Sequence, residues 1–543
     1  MQRFGRAGDL YETVQERRSS ATSDLPAVTH RRETAASTRV FWIAIAVLTA
    51  ASLLLRQDGA PADVSWLTSM CRRILEGEAG WVDIFETAPP VPTFLYMPGV
   101  VLSRLSGFSA ELTVFATAYA AAFGALAYTL RILPKRIESS GPSRWVVILP
   151  AAVFLFILSD GAFAQREYFA AAFSLPMFAV FVRRAQEGSW PSVSDRLIAA
   201  TLAGFAFAIK PPIFALPFLM LAVYELARTR SLAFLFPSML PIAAATGVIF
   251  TAVSLAAFPA YLDGVTTLMR DVYVPIRAEP LLAFNNAFVG TVFCLAASLA
   301  LSFRSKPAPA TVLAQLCAAA FVIAYFAQGK YFPYHIQPAA FFAVISLAIP
   351  LYEKAAALVA KRSSSIVDAG LYGAIALFAV FFLMLGFINK GPLMRDLGWA
   401  RGLDRPTALA ISTDISVGFP LAEHINARWV DRIHSQWVAR YTRIVLSRKG
   451  LSEAERTRYQ SYHERDIERT RQVIRDKAPD LIIQLNHPEA AWLTEALLEG
   501  EPALLDNYEV AAEEGVIRVL RRRGVGEKAA IGAGGSSAAS ASQ

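Results

Sequence analysis

The stretch LAFLFPSMLPIAAATGVIFTAVSLAAF, residues 232–258, carries no charged side chain. A helix that crosses a lipid bilayer needs about 20 apolar residues, so this stretch is long enough to span a membrane. Pro237 and Pro241 lie inside it, and a proline removes a helical hydrogen bond. The stretch therefore predicts a transmembrane helix with a kink at one of these prolines.

Ten further apolar runs recur along the chain. They are Val40–Leu55, Leu112–Leu130, Trp145–Ser159, Phe169–Phe181, Leu197–Ile209, Ile213–Leu226, Phe284–Leu301, Val312–Phe326, Ala339–Ile349 and Ile366–Phe387. The shorter runs reach spanning length only with their flanking residues. The sequence predicts an α-helical polytopic membrane protein with about 11 transmembrane helices.

The composition of the 543-residue chain agrees with this class. Apolar residues make up 55% and charged residues 18%, whereas about a quarter of a soluble protein is charged. No water-soluble fold buries so many apolar blocks, which excludes an ordinary soluble enzyme and a disordered chain. Basic residues collect in cytoplasmic loops. The net charge of +8 therefore reflects topology, and no nucleic acid is expected as a partner.

The distribution of basic residues predicts the orientation. With the amino terminus in the cytoplasm, most basic residues of the loops between spans lie on the inner side, as the positive-inside rule requires. Residues 91–105 are apolar enough to cross the membrane, but a crossing there would invert this bias. We therefore expect them to lie at the membrane interface.

Four regions follow from these patterns. Residues 1–38 form a polar, disordered cytoplasmic arm, and residues 39–390 form the transmembrane domain with a long first outer loop, 56–111. Residues 391–523 form a small extracytoplasmic α/β domain, and residues 524–543 form a disordered Gly/Ala/Ser-rich tail. Within the α/β domain, 407–412, 480–485 and 516–520 read as strands. A polar helix follows a capping box made by Ser452 and Glu455.

The first outer loop holds the candidate catalytic acids. Asp63 precedes an apolar stripe at helical spacing that predicts a helix on the membrane surface, with Arg72 and Arg73 among the headgroups. Asp83 and Glu86 follow in the segment WVDIFE, just before two prolines. Carboxylates near a bilayer surface can serve as general bases. For Asp63 the alternative is a helix cap, which aspartate supplies well.

Further polar residues fall in the later outer loops. Loop two carries Gln165-Arg166-Glu167, loop three Lys210-Pro211-Pro212, and loop five Lys330-Tyr331-Phe332-Pro333-Tyr334-His335. Arginine binds phosphate by bidentate donation and lysine binds it as a point charge. Each motif alone is typical of a membrane-interface anchor, whereas together they indicate a phosphate-binding surface.

These motifs resemble those of polytopic GT-C glycosyltransferases. The acid after the first span, the surface helix, D-x-x-E-x-x-P-P and the later QRE, KPP and KYFPYH segments are similar to the bacterial branch related to protein mannosyltransferases and lipid A aminoarabinose transferases. The resemblance covers roughly residues 40–390. It departs from the common pattern at Val64, where many relatives have a second acid, so the choice between Asp63 and Asp83 stays open.

The resemblance implies an inverting transfer of a sugar from a polyprenyl-phosphate donor to an envelope glycan, lipid or protein acceptor, on the outer face of a bacterial inner membrane. The implied catalytic residues are Asp63, Asp83 and Glu86. The implied substrate-binding residues are Arg166, Glu167, Lys210, Lys330, Tyr334 and His335, among which Arg166, Lys210, Lys330 or His335 would stabilise the departing phosphate.

No metal-ligand cluster and no cofactor are expected from the sequence, although a divalent metal near Asp63 and Asp83 stays an alternative. Three other functions remain open. An envelope transporter would carry ionisable residues within its spans, and a glycan polymerase would carry its functional residues in a late outer loop. A non-catalytic scaffold would depend only on the outer domain.

Overall fold

The structure is a computed structural model that describes residues 35–56, 59–137, 143–275, 277–303, 306–361, 366–387 and 394–525. It divides into two compact units, residues 1–51 and 52–543. The first unit is described only as the amino-terminal part of helix α1, Ala35–Leu55. The predicted arm before residue 35 and the predicted tail beyond residue 525 lie outside the described residues.

The second unit is helical up to residue 387. Its helices are α2 (Ala62–Leu75), α3 (Val91–Ser106), α4 (Ala110–Ile132), α5 (Trp145–Val153), α6 (Arg166–Glu187), α7 (Val193–Ile209), α8 (Leu216–Thr229), α9 (Leu235–Ser238), α10 (Leu240–Ala257), α11 (Thr266–Leu268), α12 (Asn286–Ser302), α13 (Pro309–Gln328), α14 (Gln337–Lys361) and α15 (Ile366–Phe387). Short π-helical turns, Tyr261–Val265 and Met269–Tyr273, flank α11.

Several of the described helices suit a bilayer. Six segments are long and apolar enough to cross one: Ala110–Ile132, Arg166–Glu187, Leu240–Ala257, Pro309–Gln328, Pro333–Val359 and Ala369–Phe387. Trp42–Leu55, Trp145–Leu158 and Asn286–Ser302 are shorter apolar helices. All eleven predicted runs are mainly helical, although α7 and α8 belong to neither group. The helices are those of a multi-pass membrane protein.

The run at residues 232–258 is interrupted as its prolines predict. Helix α9 ends at Ser238, Met239 has a positive φ of 62°, and α10 begins at Leu240 with Pro241 in its first turn. A proline is tolerated in the first turn of a helix because its missing N–H has no helical partner there. The chain therefore forms two helices here, with the break between the two prolines.

Close helix packing places the ends of α6 and α7 together. Helix α7 packs against α6 and α10. A Cβ atom at Gly204 of α7 would lie 2.7 Å from the carbonyl oxygen of Ala243 in α10, so glycine is required for this approach. Small residues allow such backbone contact between membrane helices. Because α6 and α7 are consecutive and packed together, the start of α6 and the end of α7 meet at one side of the bundle.

The carboxy-terminal region is a small α/β fold around a five-stranded sheet. Its strands are β1 (Thr407–Ile411), β2 (Arg428–Trp429), β3 (Leu481–Leu485), β4 (Tyr508–Glu514) and β5 (Ile517–Arg522), and its helices are α16 (Ile415–Gly418), α17 (Leu421–His424), α18 (Trp437–Leu446), α19 (Glu453–Lys477) and α20 (Ala491–Leu498). The strand order is β2-β1-β3-β5-β4. Strand β1 is parallel to β2 and β3, whereas β5 is antiparallel to β3 and β4.

The three predicted strands and the capping box are confirmed. The predicted strands correspond to β1, β3 and β5. The Ser452 side chain accepts a hydrogen bond from the Glu455 backbone at the start of α19, and the Glu455 side chain accepts one from the Ser452 backbone. Strands β2 and β4 were not predicted from the sequence.

Helix α2 does not present its arginines to lipid headgroups, and that prediction was wrong. Arg72 pairs with Glu423 at 2.7 Å, and the buried Arg73 donates to the Asp431 carbonyl at 2.9 Å and pairs with Glu78 at 2.6 Å. These partners belong to the carboxy-terminal region and to the turn after α2. The helix is covered by protein because it lies beneath that region, and the two arginines fix it there.

Candidate active site

A cavity of about 570 Å³ lies between the first outer loop, the ends of the membrane helices and the carboxy-terminal region. The residues that line it are Asp63, Glu86, Thr87, Arg166, Tyr273, Phe332, Tyr334, Thr413, Asp414, Ile415, Ser416, His434, Ser435, Trp437, Arg440 and Tyr441. Four of the nine residues predicted from sequence meet here: Asp63, Glu86, Arg166 and Tyr334. Acidic, basic and aromatic groups therefore face one space of ligand size.

Asp63 lies in the first turn of α2. The helix begins at Ala62 and the capping position is held by Pro61, so Asp63 is not the helix cap. A carboxylate in a first turn is favoured by the positive end of the helix dipole. The carboxylate accepts a long hydrogen bond from the Gln165 amide, at 3.4 Å. Its oxygens therefore keep capacity to accept a proton or hydrogen bond from a ligand.

Glu86 is held much more tightly. One carboxylate oxygen accepts from the Trp66 indole N–H at 2.6 Å, and the other accepts from the Ala88 backbone at 2.7 Å and the Thr87 hydroxyl at 3.1 Å. The Trp81 indole donates to the Glu86 carbonyl at 3.0 Å. This buried carboxylate organises the turn that leads into α3, because several donors on different residues converge on it.

Arg166 is the first residue of α6 and supplies a cationic group to the membrane half of the cavity, whereas Arg440 lines the half built by the carboxy-terminal region. It is buried, and among the described residues its Nε atom has no hydrogen-bond partner. The charges nearest to it include Glu167, Asp63 and Glu86, with the Tyr334 hydroxyl also close. A buried guanidinium with an unused donor is suited to a phosphate or carboxylate ligand.

Glu167, Lys210 and His335 form a separate buried cluster beside Arg166. Lys210 is ion-paired with Glu167 and donates to the Gln328 side chain at 2.5 Å. The His335 Nε2 atom lies 3.8 Å from the same Glu167 carboxylate. None of the three lines the cavity. The charge of Lys210 is already balanced by Glu167. Because Glu167 belongs to α6, Lys210 follows α7 and His335 precedes α14, the cluster stabilises the packing of these three helices.

Tyr273 and Tyr441 form an aromatic wall of the cavity, and Lys330 lies behind it. Its ammonium donates to the Tyr273 carbonyl at 2.5 Å and lies 4.1 Å and 4.9 Å from the ring centres of Tyr273 and Tyr441. Burial, together with the nearby Arg277 charge, lowers the pKa of Lys330 to about 8. The lysine therefore joins the segment before residue 275 to helix α18 rather than lining the cavity.

Asp83 is placed away from this space. Its side chain is exposed, and the carboxylate accepts a hydrogen bond from the Ala79 backbone at 2.8 Å within its own turn. The structure therefore separates the two acids between which the sequence pattern could not choose. Asp63 faces the cavity and Asp83 does not.

The carboxy-terminal region supplies cavity residues that were not predicted as site residues from the sequence. They are Thr413, Asp414, Ile415, Ser416, His434, Ser435, Trp437, Arg440 and Tyr441. The His434 ring packs against Trp66, with 5.5 Å between the ring centres, and burial lowers the pKa of this histidine. For Thr413, Asp414 and Ser416, the sequence offered one signal, which is their position directly after the predicted strand 407–412. The residues after β2 had no such signal, because β2 was not predicted.

No group of three His, Cys, Asp or Glu side chains within the described ranges is arranged to hold a metal ion.

The sequence matches no protein-family model and no curated protein at a significant level. Solved structures with a similar fold include two crystal structures of one protein. One is the crystal structure of ArnT from Cupriavidus metallidurans bound to undecaprenyl phosphate, with a TM-score of 0.53 and 15% identity. The chain has the GT-C fold. The apo form of the same ArnT gives a TM-score of 0.52 and 14% identity, and both alignments cover 90% of this chain and 98% of ArnT. The resemblance drawn from the sequence motifs is confirmed at the level of the fold.

The hydrogen bonds of Glu86 predict that it is needed for stability. A Glu86→Gln variant places an amide N–H₂ against Trp66 or Ala88, so one buried donor loses its acceptor and the free energy of unfolding falls by about 1–3 kcal/mol. We expect a lower Tm in detergent micelles for this variant. Asp63→Asn is the matched control and should keep the Tm of the wild type. An unchanged Tm for Glu86→Gln would contradict this assignment.

The lowered pKa of Lys330 predicts a pH-dependent stability. Its ordinary pKa is 10.5 and its folded value is about 8, so between these values the unfolded chain binds more protons than the folded chain. Stability contributed by this group therefore rises with pH across that window. The Tm of the wild type relative to Lys330→Met should increase from pH 8 to pH 10 in thermal melts. A constant difference would show that Lys330 does not titrate there.

Proposed function

We propose that the chain is a membrane glycosyltransferase that moves a sugar from a polyprenyl-phosphate donor to a hydroxyl of an envelope glycan, lipid or protein acceptor, with inversion at the anomeric carbon. The observation that carries the proposal is one cavity that Asp63 and Arg166 both line. A general base and a phosphate-binding cation are the two groups that this transfer requires.

Asp63 is the proposed general base. The acceptor hydroxyl attacks the anomeric carbon on the face opposite the phosphate, and its proton passes to the Asp63 carboxylate as the new C–O bond forms. The C–O bond to the phosphate breaks, and the donor leaves as polyprenyl phosphate. The long contact with Gln165 leaves Asp63 able to accept that proton, whereas the oxygens of Glu86 are occupied by internal donors.

Arg166 is the proposed partner of the leaving phosphate. Its guanidinium is buried in the cavity wall, and charge-assisted hydrogen bonds are strongest where water is excluded. Tyr334 lines the same wall and is a proposed second contact to the donor. Lys210, Glu167 and His335 support Arg166 from behind, and Lys330 supports the aromatic wall.

The distribution of charge supports a position of the cavity on the outer face. At the opposite end of the bundle, Arg131 pairs with Asp195 at 3.0 Å, while Arg184 and Arg228 bind the buried Glu225 at 3.0 Å and 2.7 Å. An end rich in arginine is typical of the cytoplasmic side. The amino terminus would then be cytoplasmic and the carboxy-terminal region extracytoplasmic, in a bacterial inner membrane.

The similarity to ArnT supports the donor class. One of the two ArnT structures holds undecaprenyl phosphate, and the shared fold extends over 90% of this chain. A polyprenyl phosphate joined to a sugar would present its phosphate to Arg166 and its anomeric carbon to the space beside Asp63.

Replacing Asp63 tests the proposed base. Asp63→Asn removes the proton acceptor and should lower kcat by about a hundredfold or more, in line with the usual contribution of a general base. The assay follows sugar transfer from undecaprenyl-phosphate-linked sugars by the purified protein in lipid nanodiscs. Asp83→Asn is the comparison, since its exposed turn lies outside the cavity, and we expect near wild-type kcat. Full activity of both variants would contradict the assignment.

Replacing Arg166 tests the phosphate contact. Arg166→Gln keeps a hydrogen-bond donor but removes the charge, which should weaken undecaprenyl phosphate binding about tenfold or more, equivalent to about 1.4 kcal/mol or more. The measurement is a binding titration with undecaprenyl phosphate in nanodiscs. Arg131→Gln, at the other end of the bundle, is the matched control. Equal affinities for wild type and Arg166→Gln would place the phosphate elsewhere.

A further inference from the structure

The carboxy-terminal half of the cavity is built by two loops that follow parallel strands. Thr413, Asp414 and Ser416 come directly after β1, and His434 and Ser435 come after β2. Because β1 and β2 are parallel neighbours, their carboxyl ends lie at the same edge of the sheet. That edge faces the cavity.

The sheet order makes this edge a place where ligands bind. Strand β1 lies between β2 and β3 in the sheet, and β3 is parallel to β1. The connection after β1 therefore leads to one side of β1, and the connection after β2 crosses to the other side. In open α/β sheets the connections diverge at such a reversal of strand order, and the crevice at the carboxyl ends of the strands is the usual ligand site. The carboxy-terminal region therefore contributes a binding edge of its own.

Hydrogen bonds hold the two loops together. Ser412 donates its backbone N–H to the Gln436 side chain at 2.8 Å, and the Gln436 backbone donates to the Ser412 carbonyl at 2.8 Å. The Gln436 amide also donates to the Ala410 carbonyl at 3.0 Å. Asp414 accepts from the Ser416 backbone and hydroxyl, both at 2.9 Å. The edge is pre-formed because each loop is tied to the other or to itself.

The groups that line this edge combine donors, acceptors and aromatic rings. Asp414 and Arg440 are exposed within the cavity. A carboxylate accepts hydrogen bonds and a guanidinium donates them, so together they match neighbouring hydroxyls that do both. Trp437 and Tyr441 supply aromatic surface, with 5.7 Å between their ring centres. This set lacks the dense positive charge that a polyanion would require.

We propose that this edge, formed by Asp414, Ser416, Ser435, Trp437, Arg440 and Tyr441, is the acceptor subsite and binds a carbohydrate ring. The proposal rests on the proposed function and names the chemical class of its acceptor. The membrane half of the cavity, with Arg166, receives the donor phosphate, and the sheet edge presents a sugar hydroxyl to Asp63 from the other side. The acceptor is therefore a glycan or a glycosylated lipid rather than an unmodified polypeptide.

The test separates carbohydrate binding from donor binding. Wild type and variants in nanodiscs are titrated with methyl α-D-mannopyranoside, methyl β-D-galactopyranoside and methyl α-D-arabinofuranoside by saturation-transfer NMR, and separately with undecaprenyl phosphate. We expect at least one glycoside to bind the wild type. Asp414→Asn and Arg440→Gln should each weaken that binding about tenfold and leave undecaprenyl phosphate binding unchanged.

Two controls make the outcome specific. Arg443→Gln changes an arginine of the same helix, α18, that packs over Trp492 at 4.3 Å and does not line the cavity, and it should bind the glycoside as the wild type does. Arg440→Gln alters an exposed side chain, so the result does not depend on the Asp414 loop keeping its shape. Absence of glycoside binding, or equal binding by wild type, Asp414→Asn and Arg440→Gln, would overturn the acceptor subsite. Absence of undecaprenyl phosphate binding in the wild type would instead overturn the proposed function.

Discussion

The contact on which the cavity depends is made by Arg73. Its buried guanidinium reaches the Asp431 carbonyl in the carboxy-terminal region and the Glu78 carboxylate in the turn after α2. A buried charge without hydrogen-bond partners is costly, so the pairing of this arginine favours the arrangement in which both partners are in place. The Phe85 N–H donates to the Arg432 carbonyl at 2.7 Å along the same seam. Asp63 and Glu86 belong to the first outer loop, which these contacts attach to the carboxy-terminal region. The contacts therefore hold both acids opposite the carboxyl ends of β1 and β2.

Arg166, Lys210 and Lys330, the three cations predicted from the outer loops, differ in how their charge is balanced. Lys210 has Glu167 as a direct partner, and the Lys330 ammonium is held by a carbonyl and two aromatic rings. The Nε atom of Arg166 has no partner among the described residues. A sequence shows all three as cations in outer loops, but only the packing determines which of them has capacity left for an anionic ligand.

Local patterns were enough to predict much of the fold. The helical structure of the eleven apolar runs, the interruption at Pro237 or Pro241, the capping box at Ser452 and three of the five strands depend on neighbouring residues, and these features are confirmed. The environment of Arg72 was predicted wrongly because its partner Glu423 is 351 positions away. The same limit explains why Asp63 and Asp83 looked equivalent and why the residues after β1 and β2 were not assigned to a site.

This arrangement also fixes the order in which the cavity can form during synthesis. Asp63 leaves the ribosome early, and Asp414, Trp437 and Arg440 follow only after α15 has been made. The long-range contacts between α2 and the carboxy-terminal region must close last, since contacts between distant segments form late when a chain is made from its amino terminus. Until then, α2 presents Arg72 and Arg73 without their partners from the carboxy-terminal region. A nascent chain that already has its membrane helices therefore still lacks half of the cavity wall.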